Sequence, residues 1–126
     1  MTVASRLRVL IADDNPRVVK SVSRLLALDH DVVGSVTTGT LLLEAVQQLR
    51  PDVIVLDLTL TDGDSLGACR EITQRNTEMR VILFSGDDDP EIRRRALEAG
   101  ACAFVDKLFG ADLISAFRCL VPGEAD

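Results

Sequence analysis

Four places in this chain set charged or hydroxyl side chains at the end of a short apolar run. They are Asp13-Asp14 after RVLIA, Asp57 after VIVL, Ser85-Gly86 after VILF, and Asp106-Lys107 after ACAFV. Burying even an uncharged polar group without a partner costs roughly 2–7 kcal/mol. Either each of these residues marks where the chain reaches water, or they are held together for chemistry. Held together, three carboxylates repel until a proton or a cation relieves them. Oxygen-only ligands suit a hard cation, and a few carboxylates that leave an ion some of its waters suit Mg2+ better than calcium or zinc. A carboxylate beside such a cation can attack phosphorus, and phosphoryl transfer needs mainly positioning and neutralisation of the oxygens on the moving group. In that arrangement Asp57 is the nucleophile and an acyl phosphate its product. Lys107 and the Ser85 hydroxyl take phosphoryl oxygens, and Gly86 lets backbone N–H groups come close.

The cluster forms only if the topology brings remote strand ends to one edge. Strands are predicted at Arg8–Ala12, Asp31–Val36, Val53–Leu56, Val81–Phe84 and Ala101–Val105, all rich in Val, Ile and Leu, as a parallel sheet covered on both faces requires. Helical patterns alternate with them. Asn15-Pro16 opens the first, with Val18, Val22, Leu25 and Leu26 on one face. The second runs from about Thr40 to Leu49 and stops before Pro51; the third covers Ser65 to Gln74, weakened by Gly67. Asp89 caps the fourth, which Gly100 ends, and the last spans Ala111 to Val121. Strand–helix pairs in this order call for right-handed crossovers and a doubly wound α/β sheet with helices on both faces, whose ligands bind beyond the carboxyl ends of the strands.

The totals narrow the function. At 126 residues the chain is one domain, expected over 1–121, with 122–126 (PGEAD) as a tail or the start of a linker. A net charge of −6 argues against nucleic acid as a partner of this domain, because phosphate contacts need a basic surface. No apolar run approaches the ~18 residues of a membrane span, and the N-terminus lacks a secretory pattern, so a cytoplasmic protein is expected. Cys69, Cys102 and Cys119 have no paired spacing and read as reduced, small core hydrophobes. His30, alone in LDHDV, reads as a surface turn residue. Arg93, Arg94 and Arg95 read as a solvated helix face or part of a partner surface.

Taken together, LIADD, VLDLTLTDGDSL, LFSG and FVDK, in this order and at these intervals, resemble the receiver domains of bacterial two-component response regulators. The resemblance covers about Leu7 to Val121 and implies a CheY-like, flavodoxin-like strand order 2-1-3-4-5. It implies that Asp57 accepts phosphate from a sensor histidine kinase or phosphotransfer protein. Asp14, Asp57 and the Thr59 carbonyl would bind Mg2+ directly, and Asp13 partly through water. Ser85 and Lys107 would bind the phosphoryl group. Phe104 would be the aromatic that turns inward when Ser85 moves, altering the face made by the fourth helix, fifth strand and fifth helix. Thr59 and Asp87 would flank the hydrolytic water and tune the phosphoryl lifetime. Output would pass to a downstream protein or a fused effector domain, and a homodimer formed on phosphorylation is among the outputs the resemblance admits. LTDGDSL and DDDPEIRRRALEAGA resemble receivers fused to helix-turn-helix DNA-binding domains, which points to a piece cut from a longer regulator.

Three residues depart from the family pattern: Thr61 replaces a common proline, Ser65 a common glycine, and Leu108 the proline after Lys107. A non-proline cis bond costs about 3–4 kcal/mol, so a trans Lys107–Leu108 peptide is expected. Two other functions compete. A magnesium-dependent phosphatase of the haloacid dehalogenase type would want a second Asp where Thr59 stands. An interaction domain that is never phosphorylated would keep the fold without using the acids.

Overall fold

The structure is a computed structural model that describes residues 6–60, 64–86, 89–107 and 110–120. Strands and helices alternate along the chain: β1 (Arg8–Ala12), α1 (Pro16–Ala27), β2 (Asp31–Val36), α2 (Gly39–Leu49), β3 (Val53–Asp57), α3 (Ser65–Arg75), β4 (Arg80–Ser85), α4 (Pro90–Glu98), β5 (Ala103–Asp106) and α5 (Gly110–Leu120). All strand pairs are parallel, in the order β2-β1-β3-β4-β5. Strand alternation sorts the core into two layers. Val9, Ile11, Val53, Val55, Ile82 and Phe84 face α1 and α5 through Val22, Leu26, Leu113 and Phe117. Leu10, Ala12, Ile54, Leu56, Val81 and Leu83 face α2, α3 and α4. Each fully buried Val, Leu or Ile contributes about 1.5–3 kcal/mol, which is why β3, buried at all five positions, can carry a carboxylate at its end.

Helix starts follow the side chains that cap them. Asn15 Oδ1 accepts from Arg17 N–H at 2.9 Å with Pro16 in the first turn, and Thr38 Oγ1 accepts from Leu41 N–H at 3.1 Å. Thr37–Thr40 is therefore a capped helix entry. Asp64 caps α3 by accepting from Gly67 N–H at 2.9 Å. A Cβ on Gly67 would lie 2.2 Å from Asp64 Oδ2, so the glycine that lowers helix propensity is what admits the cap. Gly100 closes α4 at φ 104°.

Several expectations need correction. β5 begins at Ala103, two residues later than the apolar run, because Ala101 N–H donates to the Ala96 carbonyl and belongs to the end of α4. Cys69 is buried, and burial pushes its thiol up to about 11. Cys102 and Cys119 are exposed: one precedes β5 and the other lies off the inward stripe of α5. His30 is buried as well. Its Nδ1 accepts from Leu7 N–H at 3.2 Å and its ring tilts against Phe117 at 5.0 Å, joining the start of β1 to α5. Thr61, Asp87, Leu108, Val121 and the 122–126 tail lie outside the described residues.

The His30 packing predicts a pH dependence. Burial holds the imidazole below its usual 6.5, with Asp29 and Asp31 opposing and Arg6 reinforcing that shift. The unfolded chain therefore binds a proton near 6.5 that the folded protein refuses until lower pH. Stability is present above that pH and is lost as pH falls below it. Urea unfolding is expected to show this loss as pH falls through about 6.5 and below. His30→Gln should lack that part of the slope; equal slopes would show that the ring titrates alike in both states.

Candidate functional site

In a sheet ordered 2-1-3-4-5, crossovers leave β1 and β3 in opposite directions, which opens a crevice beyond their carboxyl ends. Ala12 is in register with Leu56, so Asp13 and Asp57 emerge side by side there. Asp57 pairs with Phe84 and Ser85 with Asp106, so β4 and β5 deliver Ser85 and Lys107 to the same edge. Backbone bonds carry the ladder one residue past the strands: Asp13 N–H to Val36, Leu58 N–H to Phe84, and Lys107 N–H to Ser85 at 2.8 Å. The site is thus fixed by the sheet itself.

Lys107 Nζ lies 3.1 Å from Asp13 Oδ2 and 3.1 Å from Asp57 Oδ1. Asp13, Asp14 and Asp57 can place carboxylate oxygens within 4.8 Å of one another; Asp13 and Asp57 are buried, and Asp14 is exposed at the mouth. Burial raises the Asp13 carboxyl above its usual range, Asn15 N–H and Lys107 pull it back, and the Asp57 charge raises it further. Burial alone would lower Lys107, but its bonds and charge pairing with Asp13 and Asp57 outweigh this and raise it. Carboxylates still outnumber the ammonium. Asp13 Oδ2 is a buried oxygen with an ion pair but no hydrogen bond. An under-satisfied, all-oxygen acid cluster of this kind fits a hard divalent cation.

Each expected site residue described by the structure can be placed. Asp57 Oδ1 accepts from Thr59 N–H at 3.0 Å and Thr59 Oγ1 at 3.1 Å, and both donors share that oxygen with Lys107. Ser85 is buried at the end of β4. Gly86 is exposed, and a Cβ there would meet nothing within 4 Å, so the protein's own packing does not demand the glycine. Phe104 is buried in β5 beneath Arg93, whose guanidinium carbon sits 4.8 Å from the ring centroid.

Sequence reasoning missed Ser65, which it saw only as a departure from glycine. Ser65 is buried and its Oγ donates to the Asp57 carbonyl at 2.7 Å while Leu60 N–H approaches it at 3.5 Å. The serine fastens the turn after β3 to the first residue of α3. Ser65→Ala is expected to cost about 1–3 kcal/mol in chemical denaturation, because it leaves a buried carbonyl without its donor. A loss below about 0.5 kcal/mol would show that other contacts hold the turn. Asn15 was also read only as a helix signal, yet its N–H donates to Asp13 Oδ1 at 2.8 Å and fixes that carboxylate.

Helices on both faces and this strand order place the chain in the flavodoxin-like class. Within that class the chain belongs to the response regulator receiver domain family, which matches residues 9–117. It is 30% identical over 122 residues to the response regulator GacA of Pseudomonas viridiflava, covering 94% of this chain and 56% of that protein. It is 36% identical over 110 residues to a protein-glutamate methylesterase/protein-glutamine glutaminase of Myxococcus xanthus, covering 85% of this chain and 32% of that protein. The signal receiver domain of the response regulator NarL from Mycobacterium tuberculosis matches with a TM-score of 0.86 at 30% identity, over 94% of this chain and 98% of that one. The chain spans less than two thirds of both curated relatives. Among the described residues no helix is long and apolar enough to cross a membrane.

Proposed function

We propose that this receiver domain accepts a phosphoryl group on Asp57 from the phosphohistidine of a sensor kinase or phosphotransfer protein, with Mg2+ as cofactor. The observation that carries the reading is the bridge of Lys107 between Asp13 and Asp57 beside Asp14. Asp14, Asp57 and the Thr59 carbonyl would hold the ion, and Asp13 would reach it partly through water. Bound there, the ion supplies charge neutralisation for phosphoryl oxygens. Thr59 and Lys107 occupy Oδ1 of Asp57, so Oδ2 is the oxygen that attacks. The O–P bond forms as the N–P bond of the donor breaks, and the histidine leaves as neutral imidazole, keeping the proton already on its other ring nitrogen. Lys107 and Ser85 bind phosphoryl oxygens, as do N–H groups near Gly86. Ser85 then draws on the chain that leads to Phe104, and the face of α4, β5 and α5 carries the change to a partner or a fused effector domain. Thr59 and Asp87 tune the lifetime.

The module works in the cytoplasm and is not an enzyme on other substrates. Its output is transcriptional if it belongs to a longer DNA-binding regulator, and a homodimer formed on phosphorylation is one way to deliver it. Incubation with a small acyl phosphate tests the reading. One phosphoryl group per chain should appear by mass, only with Mg2+ and labile to hydroxylamine. Absence of label, or steady turnover of phosphate esters, would overturn the reading.

A further inference from the structure

We propose that Arg93 is a positioning residue for Phe104, a lid that holds the switch aromatic inward before any phosphoryl group arrives. The proposal rests on the phosphoacceptor reading above. The three consecutive arginines of α4 are not equivalent. Arg94 is tied along its own helix to Glu91 and Glu98. Arg93 instead lies over the Phe104 ring, its guanidinium carbon 4.8 Å from the centroid, within the range where a cation is attracted to a π face.

A phenylalanine ring has no hydroxyl to fix its position by hydrogen bonding, so contacts with its faces and edges decide where it rests. Here the ring is 8% exposed, in one cluster with Leu83 and Ala96. It also borders a groove of about 400 Å³ lined by Asp106, Asp112 and Ser115, which gives an outward ring a place to go. Arg93 lines that groove too, so guanidinium and ring share it. Phe104 is in register with Leu83 on β4, two positions before Ser85, whose carbonyl accepts from Lys107 N–H. In the switch reading proposed above, the inward ring goes with the phosphoryl-bound arrangement, and a coupling of that kind is reciprocal. Arg93 itself is exposed, so replacing it removes the lid without opening the core.

The test uses fluorine NMR of the chain with 4-fluorophenylalanine at its 4 phenylalanines, the Phe104 signal being assigned with Phe104→Leu. In Arg93→Gln the Phe104 resonance of the free protein should move towards that of an exposed ring while the other signals stay. Affinity for beryllofluoride with Mg2+ should fall about two- to fivefold. Arg93→Lys, which keeps a cation, should restore part of both. An unmoved Phe104 signal, or unchanged beryllofluoride affinity, in Arg93→Gln would overturn the lid. If the unsubstituted protein binds no beryllofluoride, the phosphoacceptor reading fails instead, and the Phe104 resonance still decides whether Arg93 holds the ring.

Discussion

Asp57→Asn is expected to end phosphoryl uptake and at the same time make the metal-free protein more stable, by about 0.5–2 kcal/mol. The two effects have one cause. Asp57 is 3% exposed and Asp13 2%, and both pair with the Lys107 ammonium within reach of Asp14. Like charges so placed repel one another. An asparagine keeps an oxygen that can accept from Thr59 N–H, Thr59 Oγ1 and Lys107, so the turn after β3 loses no donor. It sheds the repulsion and, with it, the nucleophile. Mass measurement after incubation with an acyl phosphate and Mg2+ reads the first effect, and urea unfolding without metal reads the second. Adding Mg2+ should stabilise the wild-type protein by an amount that grows with free metal, and so narrow the difference. Label on the variant would place the phosphoacceptor elsewhere. A less stable variant would mean that Asp57 serves the fold.

What could be read from residues alone divides along a physical line. In a parallel sheet the carboxyl ends of strands share one edge, so chemistry-bearing residues directly after apolar runs can be assembled on paper. Asp13, Asp14, Asp57 and Lys107 meet as the strand order requires. Long-range contacts made by turns have no such periodic signal. Ser65 reaches back to the carbonyl of Asp57, eight residues earlier, and nothing in DGDSL announces that bond. His30 lies among charged neighbours and still becomes buried, because the turn that carries it tucks between Leu7 and Phe117. The arginine run of α4 reads as uniform, yet tertiary packing gives Arg93 an aromatic partner from β5 and leaves Arg94 to its own helix.

Lys107→Met carries the opposite expectation to Asp57→Asn, and the pair makes a closed test. The lysine side chain is only 21% exposed, and its ammonium is the cation shared by Asp13 and Asp57. A methionine fills similar space but takes the shared cation from two buried carboxylates: Asp57 Oδ1 keeps its Thr59 donors, whereas Asp13 Oδ2 loses its ion pair and has no hydrogen bond to replace it. Leaving such groups unpaired costs about 1–3 kcal/mol, and that is the expected loss in urea unfolding near neutral pH without metal. Mg2+ should return part of it, since a cation in the same cluster replaces some of the missing charge. Phosphoryl uptake should slow sharply even with metal present, because one oxygen of the moving group loses its counter-charge. In the double variant one of the lysine's two carboxylate partners is gone, so removing the lysine should cost less than it does alone. The non-additivity should fall within the range of about 0.5–3 kcal/mol seen for residues in contact. Strict additivity would mean that Asp57 and Lys107 do not share a charge cluster in solution, and the metal pocket built on their 3.1 Å contact would go with it.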